Sequence, residues 1–378
     1  MPAASDGWTG GINYYANLFH AISTNPGRQI SPVAFVPTTA EPAIVAKFAG
    51  AAIVRTPVLD SKSSRSVLGR IFAGQREREQ MLRSSEIAVL SHVGSLRQKS
   101  SIPTISWIPD FQHVHCPQFF SAKELADRND SYAGSIKWAS LVLLSSQVAK
   151  HHLVQFSPEA SAKARVLPFV SGLIADVAPV SEAALRAKYK IEGPYFHLPN
   201  QFWAHKNHGV VIEALALAKT RGERPLIICT GNTRDHRAPD YFDQLSHKIQ
   251  RLGVADNFQI LGQVPFEDLA TLMIHAVAVI NPSLFEGWST TVEESKSLGK
   301  RLVLSDIGVH REQSPERADF FDPQSASSLS ELLERALFEH DPLIEAQHCE
   351  QARAQLPSRF KAFADAYEAI ALEAARQS

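Results

Sequence analysis

The stretch Asn281–Lys300, NPSLFEGWSTTVEESKSLGK, follows an apolar run, AVAVI (Ala276–Ile280), and reads as a strand end, a short loop and a helix. It places two carboxylates, Glu286 and Glu294, eight positions apart across a small polar segment. In open parallel sheets ligands bind beyond the carboxyl ends of the strands, so this loop is a candidate site. Gly287 can supply an unusual backbone angle or a close approach. Thr290 or Thr291 is the expected N-cap, with Gly299 near the helix C-terminus. The first-turn amides of such a helix can cradle a phosphate, with the carboxylates binding hydroxyls on either side. A competing reading is purely structural: Thr290 with Glu293, or Thr291 with Glu294, satisfies the spacing of a capping box.

Outward from this stretch, short apolar runs alternate with helical patterns. PYFHLPN, RPLIICTG, NFQILG, AVAVINPS and KRLVLSD are expected strands between Pro194 and Asp306. An earlier set comprises ISPVAFVP, SEIAVLSH, IPTISWIP, WASLVLLSS and ARVLPF, between Ile30 and Phe169. Near-continuous apolar runs fit strands buried on both faces, and helical patterns such as NHGVVIEALALAKTR between them argue for parallel sheets covered by helices. A polar stretch, SGLIADVAPVSEAALRAKYKIEGP, separates the sets and puts a domain boundary near Ser171.

The chain's 378 residues favour two domains. A hydrophobic share of 44%, a charged share of 20% and a formal net charge of -1 fit a soluble globular protein and give no global field for nucleic acid. Cys116, Cys229 and Cys349 are far apart, without CxxC spacing, which excludes a disulfide framework or a cysteine zinc site and fits a reduced cytosolic compartment. The N-terminus lacks signal-peptide character, and no apolar run is long enough to span a bilayer. One locally basic segment, Lys62–Arg83, interleaves arginines with Val67, Leu68, Ile71 and Phe72. It reads either as a solvated helix face or as a membrane-surface or acceptor-binding segment.

Two further segments strengthen the case around the two glutamates. FHLPNQFWAHKNHGVVIEALALAK is a strand, a loop bearing Lys206 and an amphipathic helix; a lysine there can reach a diphosphate, or is simply exposed at a helix start. ILGQVPFEDLATLMIHA follows the next strand and can offer backbone groups to a nucleobase. Together with LVLSDIGVHREQ, and with Glu286 and Glu294 spaced as E-x7-E, these segments resemble the C-terminal half of family 4 glycosyltransferases.

The resemblance implies an α/β protein of the GT-B fold: two Rossmann-like domains facing across a cleft, over residues 1–171 and 172–355, with a C-terminal helix, 356–378, packing on the first. It implies a nucleoside-diphosphate-sugar donor and a retaining transfer to an acceptor hydroxyl in polysaccharide or glycan assembly. Glu286 would bind the donor sugar near the reacting carbon and Glu294 the ribose hydroxyls. Amides around Ser289, Thr290 and Thr291 would take the phosphates, with Lys206 neutralising the leaving diphosphate and Val264 offering backbone contacts to the base. No metal or other cofactor is implied, because fixed positive groups and amides serve instead. The family usually has an arginine shortly before the lysine; here the slot reads Asn200–Gln201, so either an amide substitutes or another cation reaches in.

In the first half, GWTGGINYYANLFHAI places Gly10–Gly11 where the family has a glycine loop against the donor diphosphate, and the strand that usually precedes it is expected to be missing or vestigial. WIPDFQHVHCPQFFS resembles the family's acceptor-side loop, with Pro109 in place of a frequent histidine, so Asp110 and His113 are candidates facing a glycan or lipid-linked acceptor. His113, His115 and Cys116 lack the further ligands of a zinc site. Peripheral contact at the inner membrane face is the matching expectation for location. Two other readings stand beside this one: another GT-B enzyme such as a sugar-nucleotide epimerase, and a non-catalytic nucleotide-sugar-binding protein.

Overall fold

The computed structural model describes residues 9–60, 80–94 and 98–377. Residues 62–79 of the basic segment, and the residues before Thr9, lie outside them. The chain divides into two compact units: the first holds Met1–Phe111, Lys123–Val170 and Ser358–Ser378, and the second holds Gln112–Ala122 and Ser171–Pro357.

The second unit is one six-stranded parallel sheet, formed by β7 (Tyr195–Leu198), β8 (Leu226–Thr230), β9 (Phe258–Gly262), β10 (Val279–Asn281), β11 (Leu302–Ser305) and β12 (Ala318–Phe321). Every residue of β7, β10 and β11 is buried, as strands covered on both faces require. The order is β12-β11-β10-β7-β8-β9. The chain thus lays β7, β8 and β9 in one direction, then returns past β7 to lay β10, β11 and β12 in the other. The reversal falls between β7 and β10, joined through Val279 and His197. In a doubly wound sheet that reversal opens a crevice at the carboxyl ends of the two strands, where ligands bind. Leu198 and Phe196 on β7 pack with Val211 and Leu215 of the His208–Thr220 helix and with Leu329 and Leu333 of the Ala326–Phe338 helix. β12 was not expected from the sequence: ADFF is short, and three of its four residues are only half-buried, so no apolar run marks it.

Among the described residues, the first unit carries two separate parallel sheets, a pair formed by β1 (Val33–Pro37) and β2 (Ala52–Thr56), and a set ordered β3 (Leu90–Val93), β4 (Thr104–Ile108), β5 (Leu141–Leu144), β6 (Ala164–Val166). β2 also escaped the sequence reading; AIVRT is exposed or half-buried except at Thr56. Gly10 and Gly11 are already helical, in the first turn of the Thr9–Thr24 helix, rather than in a loop before it. That helix buries Tyr14, Tyr15, Leu18, Phe19 and Ile22. The last helix runs Pro342–Ala375, starting sixteen residues before Ser358, with Pro357 inside it. Its final part belongs to the first unit, where Asp365 accepts from Asn25 Nδ2 at 2.8 Å and Arg165 pairs with Glu373. No helix of the described residues is long and apolar enough to cross a membrane.

Candidate donor site at the strand reversal

Two loops leave the sheet at the reversal. From β7, the chain passes Asn200 and Gln201, makes a turn over Ala204–Lys206, and enters the His208–Thr220 helix through Asn207, whose left-handed backbone (φ +56°) turns the corner. Asn207 Nδ2 ties that corner to Pro282 O at 3.2 Å and Pro323 O at 2.9 Å. From β10, the chain passes Asn281 and Pro282 to Glu286 and enters the Thr290–Ser297 helix. The loops are stitched together where Leu284 N–H donates to His205 O at 2.8 Å.

Lys206 and Glu286 meet between these loops. Lys206 Nζ lies 2.5 Å from Glu286 Oε1, with side chains only 14% and 10% exposed. Ser283 Oγ stands 2.7 Å from the same oxygen and 2.6 Å from Asn281 Oδ1, and its one proton can serve either. Burial pushes the Glu286 carboxyl up, but Lys206 and the nearby imidazoles of His310 and His205 outweigh it and hold the pKa at about 2. Glu286 is therefore a carboxylate throughout the physiological range.

Glu294 is the opposite case. It is buried on the Thr290–Ser297 helix, and Ser171 Oγ at 3.5 Å gives it only a long contact. Burial pushes its pKa up to about 8, opposed weakly by Ser171. The site thus holds two buried carboxyls with opposite preferences, one ionised by a fixed cation and one short of donors.

The helix cap removes the capping-box reading of these glutamates. The N-cap is Ser289, not Thr290 or Thr291; its hydroxyl accepts from Val292 N–H. The third helical residue is then Val292, so no glutamate occupies the reciprocal position of a capping box. Glu293 is held instead by Lys296 at 3.0 Å and by Gln313 Nε2 at 3.1 Å. Glu294 has no capping role. Gln313 also clasps the Ser289 backbone, accepting from its N–H at 3.1 Å and donating to its C=O at 3.0 Å. The Ser289 amide is therefore engaged within the protein. The N–H groups of Thr290 and Thr291, the first two residues of the helix, have no partner inside it, as at the start of any helix.

In the expected arginine slot, Asn200 is engaged through both ends of its amide and Gln201 through its carbonyl oxygen. Asn200 is buried, with Nδ2 donating to Asn281 Oδ1 at 3.1 Å and Oδ1 accepting from Thr291 Oγ1 at 3.3 Å. Gln201 Oε1 accepts from Asn232 N–H at 2.7 Å. Gly287 is half-buried in the loop beside Glu286, and Val264 is half-buried two residues beyond β9, packed on the Leu185, Ile191 and Tyr195 cluster. Asp110 and His113 fall in different units: Asp110 follows β4 in the first, while His113 is buried in the short Gln112–His115 helix of the second. Gly10 and Gly11 belong to the first.

Sequence reasoning missed several participants. Asn281 and Ser283 lay in the opening stretch without being singled out. Gln313 and His310 closed the quoted segment LVLSDIGVHREQ. His310 is buried, with Nδ1 bonded to Ser305 O at 2.9 Å. Arg237 and Asp235 had no signal at all: they lie in a loop after β8 without a motif. Three more buried histidines, His197, His205 and His208, are held neutral at about 3 chiefly by burial, with Lys206 pushing the last two down further.

In a doubly wound parallel sheet, the strand reversal where these polar and charged groups gather is the usual place of a ligand. Solved structures share the whole architecture. A glycosyltransferase from Rickettsia africae is 15% identical, with a TM-score of 0.68 over 100% of this chain and 96% of that one. HepE of Anabaena in complex with UDP-glucose is 17% identical, with a TM-score of 0.62 over 96% of this chain and 95% of that one. The fold is GT-B, with two Rossmann-like domains. Residues 182–355 match the family model described as glycosyl transferases group 1. The O-antigen chain mannosyltransferase RfbU of Salmonella typhimurium is 27% identical over 135 residues, 35% of this chain and 36% of that relative's length.

Proposed function

We propose that the protein is a retaining glycosyltransferase of the family 4 type, which moves a sugar from a nucleoside diphosphate to an acceptor hydroxyl in polysaccharide or lipid-linked glycan assembly. The observation that carries this reading is the Lys206–Glu286 pair at the strand reversal, 2.5 Å apart and nearly buried. The match of residues 182–355 to the group 1 glycosyl transferases supports it, as do the UDP-glucose in HepE and the O-antigen role of RfbU. Without a donor, the lysine and glutamate neutralise each other. Donor binding exchanges that pair: Lys206 turns to the diphosphate, assisted by the Thr290 and Thr291 amides, and Glu286 turns to the sugar. As the leaving diphosphate gains negative charge and the sugar gains positive charge, both partners strengthen their contacts, which lowers the barrier. Glu294 accepts from the ribose hydroxyls, and backbone near Val264 meets the base. No step needs a metal or a protein nucleophile. His113 faces the acceptor, and the protein works in the cytoplasm at the inner membrane face.

Turnover and binding in two variants test this. Glu286→Gln should leave UDP or GDP affinity undiminished and lower turnover of the matching sugar donor about 10²–10³-fold. Lys206→Ala should weaken the diphosphate about ten- to a hundredfold, the loss of one charge-assisted contact, and leave the nucleoside unaffected. Full turnover by Glu286→Gln would remove the catalytic assignment. Product analysis with and without an acceptor separates transfer from epimerisation.

A further inference from the structure

The Gln112–Ala122 segment lies in sequence between β4 and the Ala122–Trp138 helix, yet it packs within the second unit. One arginine from the loop after β8, Arg237, contacts it there. The Arg237 side chain is 8% exposed. Its guanidinium lies 5.0 Å from the Phe120 ring centroid and 5.5 Å from that of Trp203. Arg237 Nη1 donates to Gln112 Oε1 at 3.2 Å. Asp235, also buried, accepts from Arg237 N–H at 3.0 Å through Oδ1 and from Ala204 N–H at 3.3 Å through Oδ2. Arg237 and Asp235 therefore grip both sides of a joint: the Gln112–Ala122 segment on one side, and the turn that carries Lys206 on the other. A second rivet lies beyond Glu286, where the His115 ring stacks on Phe285 at 6.1 Å and 17°.

A guanidinium taken out of water is costly, and a carboxylate partner seldom returns all of that cost. Such a group adds little to stability for its expense. A planar cation between two rings does fix geometry, which a lysine in the same place would not. Nη1 is spent on Gln112, while Nε, 3.7 Å from Asp235 Oδ1, is buried without a hydrogen-bond partner among the described residues.

We propose that Arg237 is a positioning residue that acts through Lys206, locking the Ala204–Lys206 turn to the Gln112–Ala122 segment and making that segment part of the donor site. This rests on the assignment of Lys206 to the diphosphate. Residues that share partners couple energetically, so the test is a double-mutant cycle on nucleoside-diphosphate affinity. Isothermal titrations of UDP and GDP, with uridine and guanosine as controls, are compared for wild type, Arg237→Ala, Lys206→Ala and the double variant. Arg237→Ala should weaken the diphosphate about fivefold, on the order of 1 kcal/mol, and leave the nucleoside unchanged. The double variant should bind no worse than Lys206→Ala alone. Arg237→Lys keeps the charge but not the planar stack, so it should fail to rescue and serves where the alanine variant does not fold. Phe120→Leu should reproduce part of the loss. A structural clamp alone would lower the melting temperature and leave the ratio of diphosphate to nucleoside affinity unmoved. That result, additive losses, or full rescue by Arg237→Lys would overturn the proposal while leaving Lys206 in place. If Lys206→Ala itself binds UDP and GDP as wild type does, the donor-site reading falls and this inference with it.

Discussion

The two units are both built on parallel strands, and they differ in what they bury beside those strands. In the first, the group around β3 and β4 is aromatic. Tyr14 stacks on Trp107 at 4.5 Å and meets Phe169 edge-on at 5.2 Å, while its hydroxyl bonds His92 Nε2 at 2.6 Å. In the second, the strand ends carry amides, hydroxyls and an ion pair, linking Asn200, Asn281, Ser283, Glu286 and Lys206. Aromatic packing gains from burial whatever else is bound. A buried polar network gains only when each member is matched, so it is the region where a ligand changes the balance most.

Acid should expose this difference most strongly. His197, His205 and His208 are held at about 3, below the ordinary value of 6.5. A depressed histidine leaves its contribution intact above the unfolded pKa and loses it as pH falls from 6.5 toward the folded value. Each can cost up to about 1.4 kcal/mol per pH unit in that window. Hydrogen exchange followed from pH 7 to pH 5 should show β7–β12 losing protection before β3–β6. Simultaneous or reversed opening would break the contrast, since His92 in the first unit is also held at about 3 by burial.

A smaller effect concerns how tightly the site helix is anchored. Gly299, at φ +66°, ends that helix, and a Cβ there would lie 2.2 Å from His348 O. Gly299→Ala should destabilise the second unit by about 2–4 kcal/mol, from backbone strain plus the clash. Gly193→Ala has a similar φ, +75°, and open space around it, so strain of about 1–2 kcal/mol is all it should cost. Equal melting shifts for the two variants would show that the close approach to His348 is not rigid.

Nucleotide binding gives the next effect. In the proposed donor complex, ribose hydroxyls would favour the ionised form of Glu294, whose pKa burial pushes up to about 8. Binding should then release a proton below pH 8, and affinity should rise with pH by at most about tenfold per unit until it levels off near 8. Glu294→Gln should remove this dependence and leave only that of the phosphate. An unchanged pH profile in the variant would remove Glu294 from the ribose.

The smallest effect compares two helix caps. Ser146 in the first unit only caps its helix, accepting from Ala149 N–H at 2.9 Å. Ser289 caps and also accepts from Asn281 Nδ2 at 2.8 Å. Either alanine variant should cost about 1 kcal/mol of stability. Only Ser289→Ala should also weaken nucleotide binding. If it does not, the cap and the network are independent.

The sequence revealed the second unit more fully than the first for a physical reason. Four of its strands, β7, β8, β10 and β11, are apolar runs buried almost throughout, and such runs announce themselves. Half-exposed β2 and β12 do not. Glu286, Glu294 and Lys206 were legible because two loops set their spacing. The cap was misplaced by one residue because Ser289, Thr290 and Thr291 are chemically equivalent as caps, and only the chain path from β10 chooses among them. Arg237 was illegible because its role depends on rings at Phe120 and Trp203, far from it in sequence. Asn200 and Gln201 stand where a cation was expected; Asn200 is tied to Asn281 and Thr291, and Gln201 is tied to Asn232 through its carbonyl oxygen.

The bonds around Asn281 run in a single direction, from Thr291 Oγ1 to Asn200 Oδ1, from Asn200 Nδ2 to Asn281 Oδ1, and from Asn281 Nδ2 to Ser289 Oγ. A carboxylate at the centre would have no N–H to send onward and would add a negative charge beside Glu286. Asparagine becomes aspartate with age when the next residue's backbone nitrogen attacks the side-chain amide. The residue after Asn281 is Pro282, whose ring nitrogen carries no hydrogen to lose in that attack. The amide on which the network depends is thereby shielded from the commonest chemical wear of asparagine, and the same proline that ends the strand lengthens the working life of the site.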